Sequence, residues 1–169
     1  MNDTESDRAE FAKTQWEREI PGLDLLPMVI LGRLGEASQL ILKHHLEPVF
    51  AAHGLKPGEF DVLATLRRSG SPFTLKPTDL YNSTMISSGG MTARLDRLQK
   101  AGLISRTPDE HDRRALQVAL TEKGKALIET VLPLHIAAQK KALAGLDPSD
   151  QNALAELLKR VVRALEHSS

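Results

Sequence analysis

The sequence predicts a mainly α-helical chain with one small β-hairpin, and three patterns predict it. Apolar residues recur at helical spacing through successive segments, with Met91, Leu95 and Leu98 as one clear example. A single stretch breaks that rhythm. Leu103-Ile104 reads as strand, and Val118 and Leu120 alternate with small or polar neighbours on the far side of a polar tip. Proline and glycine mark the joins, with Pro57, Pro77 and Pro148 at helix starts and Gly54, Gly70, Gly102 and Gly145 at helix ends.

Taken in order, Leu23 to Phe50 is a long apolar-periodic segment (Leu26, Ile30, Leu34, Ala37, Ile41, Leu46, Val49), interrupted by Pro27 and Pro48 and stopped at Gly54. Pro57 opens a helix through Phe60, Leu63 and Leu66 that Gly70 closes. Pro77 begins a short helix carrying Leu80, and a turn through Asn82-Ser83-Thr84 leads to a second helix over about Ser87 to Lys100. Ser87 or Ser88 is its expected N-cap. Gly102 fits the position after the last turn, where a left-handed backbone costs it nothing. The hairpin follows, with its tip through Pro108, Asp109 and Glu110 to Asp112-Arg113-Arg114. Thr121 then caps a helix to about Ala144 that Pro133 bends, and Asp147-Pro148 starts a last helix with Leu154, Leu157, Leu158, Val161, Val162 and Leu165. Helix, turn, helix and basic-tipped hairpin in this order form a winged helix-turn-helix, a much more specific pattern than any of its parts.

That arrangement points to double-stranded DNA. In the second helix Ile86, Met91, Leu95 and Leu98 make the buried stripe, while Ser88, Thr92, Arg94, Arg97 and Lys100 lie largely off it. The expected contact residues are Ser87, Ser88, Gly89, Gly90, Thr92, Arg94 and Arg97 on the helix and Arg113 and Arg114 on the wing, with Asp112 holding a wing arginine in place. Gly89 and Gly90 cost roughly 1 kcal/mol each inside a helix. They suit either close backbone approach to a groove floor or a frayed helix start, and the residues alone do not choose. A solvated turn is the plain alternative for the DRR triplet.

Lys plus Arg and Asp plus Glu both number 22 in the 169 residues, so global charge is silent. Its distribution is not. From Arg67 to Lys125 eleven basic residues face six acidic ones, leaving +5 there and −5 over the rest. With no cysteine, disulfides, thiolate metal sites and cysteine redox sensing are excluded. No apolar run approaches the ~20 residues of a membrane span and the N-terminus is acidic, so a cytoplasmic location without membrane attachment is expected.

Enzyme signatures are missing: there is no G-x-S-x-G, G-x-G-x-x-G or H-E-x-x-H. His44-His45 would point about 100° apart on a helix and cannot easily chelate one ion. No cofactor and no metal are therefore expected. The helices at both ends carry more apolar surface than one small winged domain can cover, which favours a homodimer reading a palindromic site over a larger monomeric core.

In these motifs the chain from Leu23 to Leu165 resembles the MarR family of winged-helix transcription regulators. The likeness rests on Gly58-Glu-Phe-Asp-Val-Leu-Ala-Thr-Leu66, Met91-Thr-Ala-Arg-Leu-Asp-Arg-Leu98, Gly102-Leu-Ile-Ser-Arg106, Asp112-Arg-Arg114 and Leu120-Thr-Glu-Lys-Gly124. It implies a single MarR-type domain over 1–169. Residues 23–56 and 121–169 would be dimerisation helices flanking a DNA-binding lobe at 57–120, with the recognition helix at 87–100 and the wing at 103–120. Repression, and release of DNA by a small anionic or aromatic ligand, are implied as well.

Within that family the chain is similar to the urate-responsive branch, which adds an N-terminal helix bearing a tryptophan, here about 1–22 with Trp16 in Lys13-Thr-Gln-Trp-Glu-Arg-Glu19. The branch also has an aspartate matching Asp61 and arginines matching Arg94 and Arg106. The resemblance implies that Trp16, Asp61, Arg94 and Arg106 bind urate or a similar planar anion. A purine could stack on Trp16 and compete for an arginine paired with Asp61. The alternatives are a phenolic or other organic acid as effector and, from another class, a winged-helix module that binds proteins.

Overall fold

The computed structural model describes residues 6–84, 90–108 and 116–167, and falls into two units, Met1–His45 and Leu46–Ser169. The first unit is a helical hairpin. Helix α1 (Arg8–Glu19) is capped by Asp7, whose Oδ1 accepts from Glu10 N at 2.8 Å. Helix α2 (Leu26–Ile41) carries Pro27 in its first turn, so this proline opens the helix where the periodic pattern suggested an interruption. The two helices meet closely where Ala9 faces Gly32, since a Cβ on Gly32 would lie 3.3 Å from Ala9 Cβ. Arg33 bridges them from the outside to Asp7 at 2.7 Å and Glu10 at 3.4 Å. The Arg33 guanidinium and the Glu10 amide hold the Asp7 carboxyl below its ordinary range.

Beyond α2 the chain widens into a π-helical turn, Leu42–Leu46, before α3 (Glu47–Ala52). Pro48 explains the widening: in a regular α-helix its ring would meet the carbonyl of His44. Helix α3 closes in a Schellman motif, with Leu55 N donating to Phe50 O at 2.9 Å, Gly54 N to Ala51 O at 3.1 Å, and Gly54 left-handed at φ 69°.

In the second unit α4 (Pro57–Arg68), α5 (Pro77–Ser83) and α6 (Met91–Lys100) form the three-helix body of the winged helix-turn-helix. A three-stranded antiparallel sheet completes it, with β1 (Thr74–Leu75), β2 (Ile104–Pro108) and β3 (Leu116–Leu120) in the order β1-β3-β2. Register pairs Ile104 with Leu120 and Pro108 with Leu116, and Thr74 with Ala119. The wing strands match expectation. β1 is an addition, too short to show a period. The core includes Val62, Leu63, Leu66, Leu80, Leu98 and Val118, all buried, and each contributes roughly 1.5–3 kcal/mol through burial.

Helix α6 begins at Met91 with Gly90 as its N-cap, left-handed at φ 82°. This corrects the expected cap at Ser87 or Ser88, and it places Gly90 where a glycine is conformationally apt rather than costly. At its far end α6 closes as expected: Leu103 N donates to Leu98 O at 3.0 Å and Gly102 N to Gln99 O at 2.9 Å.

Helix α7 (Glu122–Ala142), capped by Thr121 Oγ1 on Gly124 N at 3.0 Å, is built directly onto this joint. Thr121 N donates to Leu103 O at 3.1 Å, Thr121 Oγ1 to Gly102 O at 2.7 Å and Lys123 Nζ to Ala101 O at 2.9 Å. Gly124 permits the approach, because a Cβ there would lie 1.9 Å from Leu103 O. Helix α8 (Pro148–Glu166) is capped by Asp147 Oδ1, which accepts from Ser149 N and Asp150 N. None of its residues is buried.

Candidate nucleic-acid interface

Met91, Leu95 and Leu98 turn α6 inward, which leaves Thr92, Ala93, Asp96, Arg97, Gln99 and Lys100 exposed. The helix is braced on both flanks. On one, Arg94 crosses the first turn of α4, so closely that a Cβ on Gly58 would lie 2.3 Å from Arg94 Nε. One turn further along α6, Arg97 Nε donates to Glu59 Oε1 at 2.6 Å. The Glu59 carboxylate is 7% exposed and its other oxygen accepts from Lys56 N at 2.9 Å. It therefore caps α4 and holds α6 at once.

On the opposite flank Arg106 from β2 donates to Gln99 Oε1 at 2.6 Å and pairs with Asp96. Asp96 lies about 200° around the helix from Arg94, so Arg94 and Arg106 grip different sides of α6.

Among the expected DNA contacts, Gly90 and Thr92 stand at the start of α6, with Thr92 exposed. Arg94 is half-buried against α4, and Arg97 keeps 46% of its side chain exposed while paired with Glu59. Ser87, Ser88, Gly89, Asp112, Arg113 and Arg114 lie outside the described residues.

Several of the basic residues behind the charge asymmetry have work inside the fold. Arg67 pairs with Glu129 at 2.8 Å and lies over Phe73 at 4.8 Å, where Lys125 also lies at 5.2 Å. Arg68 bonds the Ser83 carbonyl at the end of α5. The +5 excess thus overstates the charge available to a phosphate backbone.

Of the expected ligand residues, Asp61 and Arg94 both relate to one face of α4, since Asp61 stands three residues after Gly58. Arg106 lies on the far flank of α6. Trp16, in the first unit, is 43% exposed.

Sequence reasoning missed His135 of α7. Its ring stacks on Phe50 at 5.5 Å and tilts over Phe60 at 4.4 Å, and its Nδ1 is buried with no hydrogen-bond partner among the described residues. Burial pushes its pKa down, with the Asp61 carboxylate opposing. A histidine on a helix otherwise reading as apolar periodicity gives no signal of this. Glu59 left a faint one, as an acidic residue two places after a helix-opening proline.

Among the described residues no group of three or more His, Cys, Asp or Glu could hold a metal, and no helix is long and apolar enough to cross a membrane. Exposed apolar residues gather on α8 at Leu154, Leu157, Val161, Val162 and Leu165, and in the first unit at Phe11, Ile20, Leu26, Ile30 and Leu31.

Comparison with known proteins agrees with this architecture. The model of the MarR family matches residues 53–115. The HTH-type transcriptional regulator PecS of Dickeya dadantii is 40% identical over 151 residues, spanning 89% of this chain and 90% of that protein. AbsC, a MarR family transcriptional regulator from Streptomyces coelicolor, superposes with a TM-score of 0.73 at 27% identity, over 86% of this chain and 97% of its own. BpsR of Bordetella bronchiseptica, whose DNA binding is regulated by 6-hydroxynicotinic acid, superposes with a TM-score of 0.66 at 26% identity, over 79% and 98%. PecS and AbsC are transcription regulators, not enzymes.

Proposed function

Because the chain belongs to the MarR family of transcription regulators, we propose that it is a repressor that binds a palindromic operator as a homodimer and lets go when a planar organic anion binds. The carrying observation is the presentation of α6: its apolar stripe is buried, its polar face is outward, and arginines brace it on either side. A reading head fixed this way enters a groove without first having to order itself. DNA contacts are assigned to Ser87, Ser88, Gly89, Gly90, Thr92, Arg94 and Arg97 on and before the helix. Arg113 and Arg114 act on the wing, with Asp112 in support.

The dimer reading is supported by α8, whose exposed apolar row would otherwise stay in water. In this reading 23–56 and 121–169 associate across the two-fold axis and 57–120 reads DNA.

Trp16, Asp61, Arg94 and Arg106 are the proposed effector residues, with urate as the first candidate. Trp16 supplies a stacking face, and the anion competes for Arg94, which a release mechanism can exploit because the same side chain sits on the reading helix. The response of BpsR to 6-hydroxynicotinic acid favours a second candidate class, the aromatic hydroxy acids.

A mobility-shift titration on the DNA upstream of this chain's own reading frame tests the DNA-binding and effector parts. The shifted band should weaken steeply with salt, Arg113→Ala with Arg114→Ala should weaken it across sequences, and micromolar to millimolar urate should release it while quenching Trp16 emission. A band that ignores salt supports a protein-binding module instead. A salt-sensitive band with no urate response and no quenching leaves the regulator and removes urate.

A further inference from the structure

Helix α1 rests on α2 with very little buried apolar surface. Ala9 is its one buried residue, and Ala12, a turn further on, is half-buried. Its large apolar side chains, Phe11, Trp16 and Ile20 beyond its end, are exposed. What crosses from helix to helix is charge. Arg33 Nε donates to Asp7 Oδ2 at 2.7 Å, the same guanidinium reaches Glu10 at 3.4 Å, and Arg8 stands 3.6 Å from Glu36. Each of these side chains keeps 30% or more of its surface in solvent, so dissolved ions reach all three pairs. Asp7 and Arg33 favour each other's charged forms, the carboxyl held below its ordinary range and the guanidinium above its own. Asp7 is also the N-cap of α1, so one carboxylate both starts the helix and ties it down. The pairs of Lys13 with Glu10 and Glu17, and of Arg18 with Glu19, stay within α1 and hold it to nothing else.

We propose that α1 is an ionic latch, docked on α2 at low ionic strength and lifted as salt rises, and that its position controls the effector response through Trp16. The screening length falls from about 10 Å at 0.1 M to about 3 Å at 1 M, the scale of the pairs themselves. Each tie is weak, and two alanines leave little else to keep the helix down. Lifting α1 withdraws the stacking face that Trp16 supplies, while the winged body keeps its own core. The latch stands on the ion pairs alone, and only the control of the effector rests on the function proposed above.

Amide hydrogen exchange in the full chain tests the latch, with the amides of α4 as internal reference. From about 0.05 to 1 M sodium chloride the amides from Phe11 to Glu19 should exchange roughly tenfold faster, and those of α4 should change less than about twofold. Sucrose at matched osmolality should not speed them. Arg33→Gln removes two of the three ties and should give fast exchange already at low salt, with most of the salt dependence gone. Gly32→Leu keeps every charge but puts bulk where a Cβ would already lie 3.3 Å from Ala9 Cβ, and it too should open α1 at low salt. Exchange that ignores salt, an equal effect of sucrose, or the parent's salt dependence in Arg33→Gln would overturn the latch and point to an apolar partner holding α1. For the control of the effector, urate at low salt should quench Trp16 in the parent and not in Gly32→Leu or Arg33→Gln. Equal quenching in all three overturns that control and leaves the latch. No quenching in the parent removes the urate reading and the control with it, and the exchange data still decide the latch.

Discussion

Replacing Gly58 by alanine separates what the first turn of α4 does for the fold from what it does for the reading helix. The added Cβ would stand 2.3 Å from Arg94 Nε, 2.9 Å from Cδ and 3.0 Å from Cζ, against the 3.4–4 Å of an ordinary contact. These atoms belong to the far end of a flexible side chain, so Arg94 can swing away without moving any backbone. The helix itself gains from the exchange, by up to about 1 kcal/mol. Loss of a half-exposed arginine's contacts offsets a similar amount, about 0.2–1 kcal/mol. Urea unfolding should therefore place Gly58→Ala within about 1 kcal/mol of the parent. Operator affinity and effector response should nevertheless change as they do in Arg94→Ala, because both variants empty the same seat. A double-mutant cycle decides: Gly58→Ala should add little once Arg94 is alanine. Additive effects on DNA binding, or a loss of stability above about 2 kcal/mol, would refute the idea that Gly58 acts as the seat of Arg94.

Three other perturbations have definite outcomes. Gly124→Ala puts a Cβ 1.9 Å from the Leu103 carbonyl oxygen, a backbone atom with no rotamer to escape through, so it should cost about 3 kcal/mol or more in urea unfolding despite its better helix propensity. Leu158→Asp with Val162→Asp places charges on the α8 face, where in the proposed dimer burial of each of these side chains would contribute roughly 1.5–3 kcal/mol and symmetry would double the loss; sedimentation should show monomers or unfolded chain, and a monomer that still shifts a palindromic site tightly would contradict the dimer. His135 has its folded pKa pushed down, so below its unfolded value of about 6.5 the unfolded chain holds the extra proton and stability falls as pH drops through that range, staying level above it. Urea midpoints from pH 5 to 8 should show the slope, and His135→Phe should flatten it.

How much of this was legible in the sequence depends on the range of the interaction. Most caps and stops were: Thr121, Asp147 and Gly102 declare themselves through local chemistry and the structure uses each as expected, whereas α6 takes Gly90 as its cap in place of Ser87 or Ser88. The alternation at Val118 and Leu120 similarly betrayed the wing. Partners distant in sequence were not. Arg97 meets Glu59 across 38 positions, and nothing in an arginine on an exposed helix face distinguishes a phosphate contact from an internal ion pair. Arg106 was grouped with Asp61 and Arg94 by resemblance, and its position around α6 emerges only once β2 is laid beside that helix. The two residues of β1 are too few to display a period, and the π-helical turn before Pro48 reflects a clash that only a three-dimensional helix reveals. His135 stayed hidden because its partners, Phe50 and Phe60, sit on two other helices.

The junction of α7 with the end of α6 makes the reading head and the long helix a single lever. Gly124 lies against the Leu103 carbonyl while Thr121 and Lys123 grip the three carbonyls from Ala101 to Leu103, so there is no slack at the fulcrum. Helix α7 runs 21 residues from that point, an arm of about 31 Å. A tilt of about 5° at the fulcrum would carry the far end through about 3 Å. The gearing also works in reverse. A modest displacement imposed far along α7 becomes only a slight rotation of α6, which in the proposed homodimer would give fine control over the distance between two reading heads.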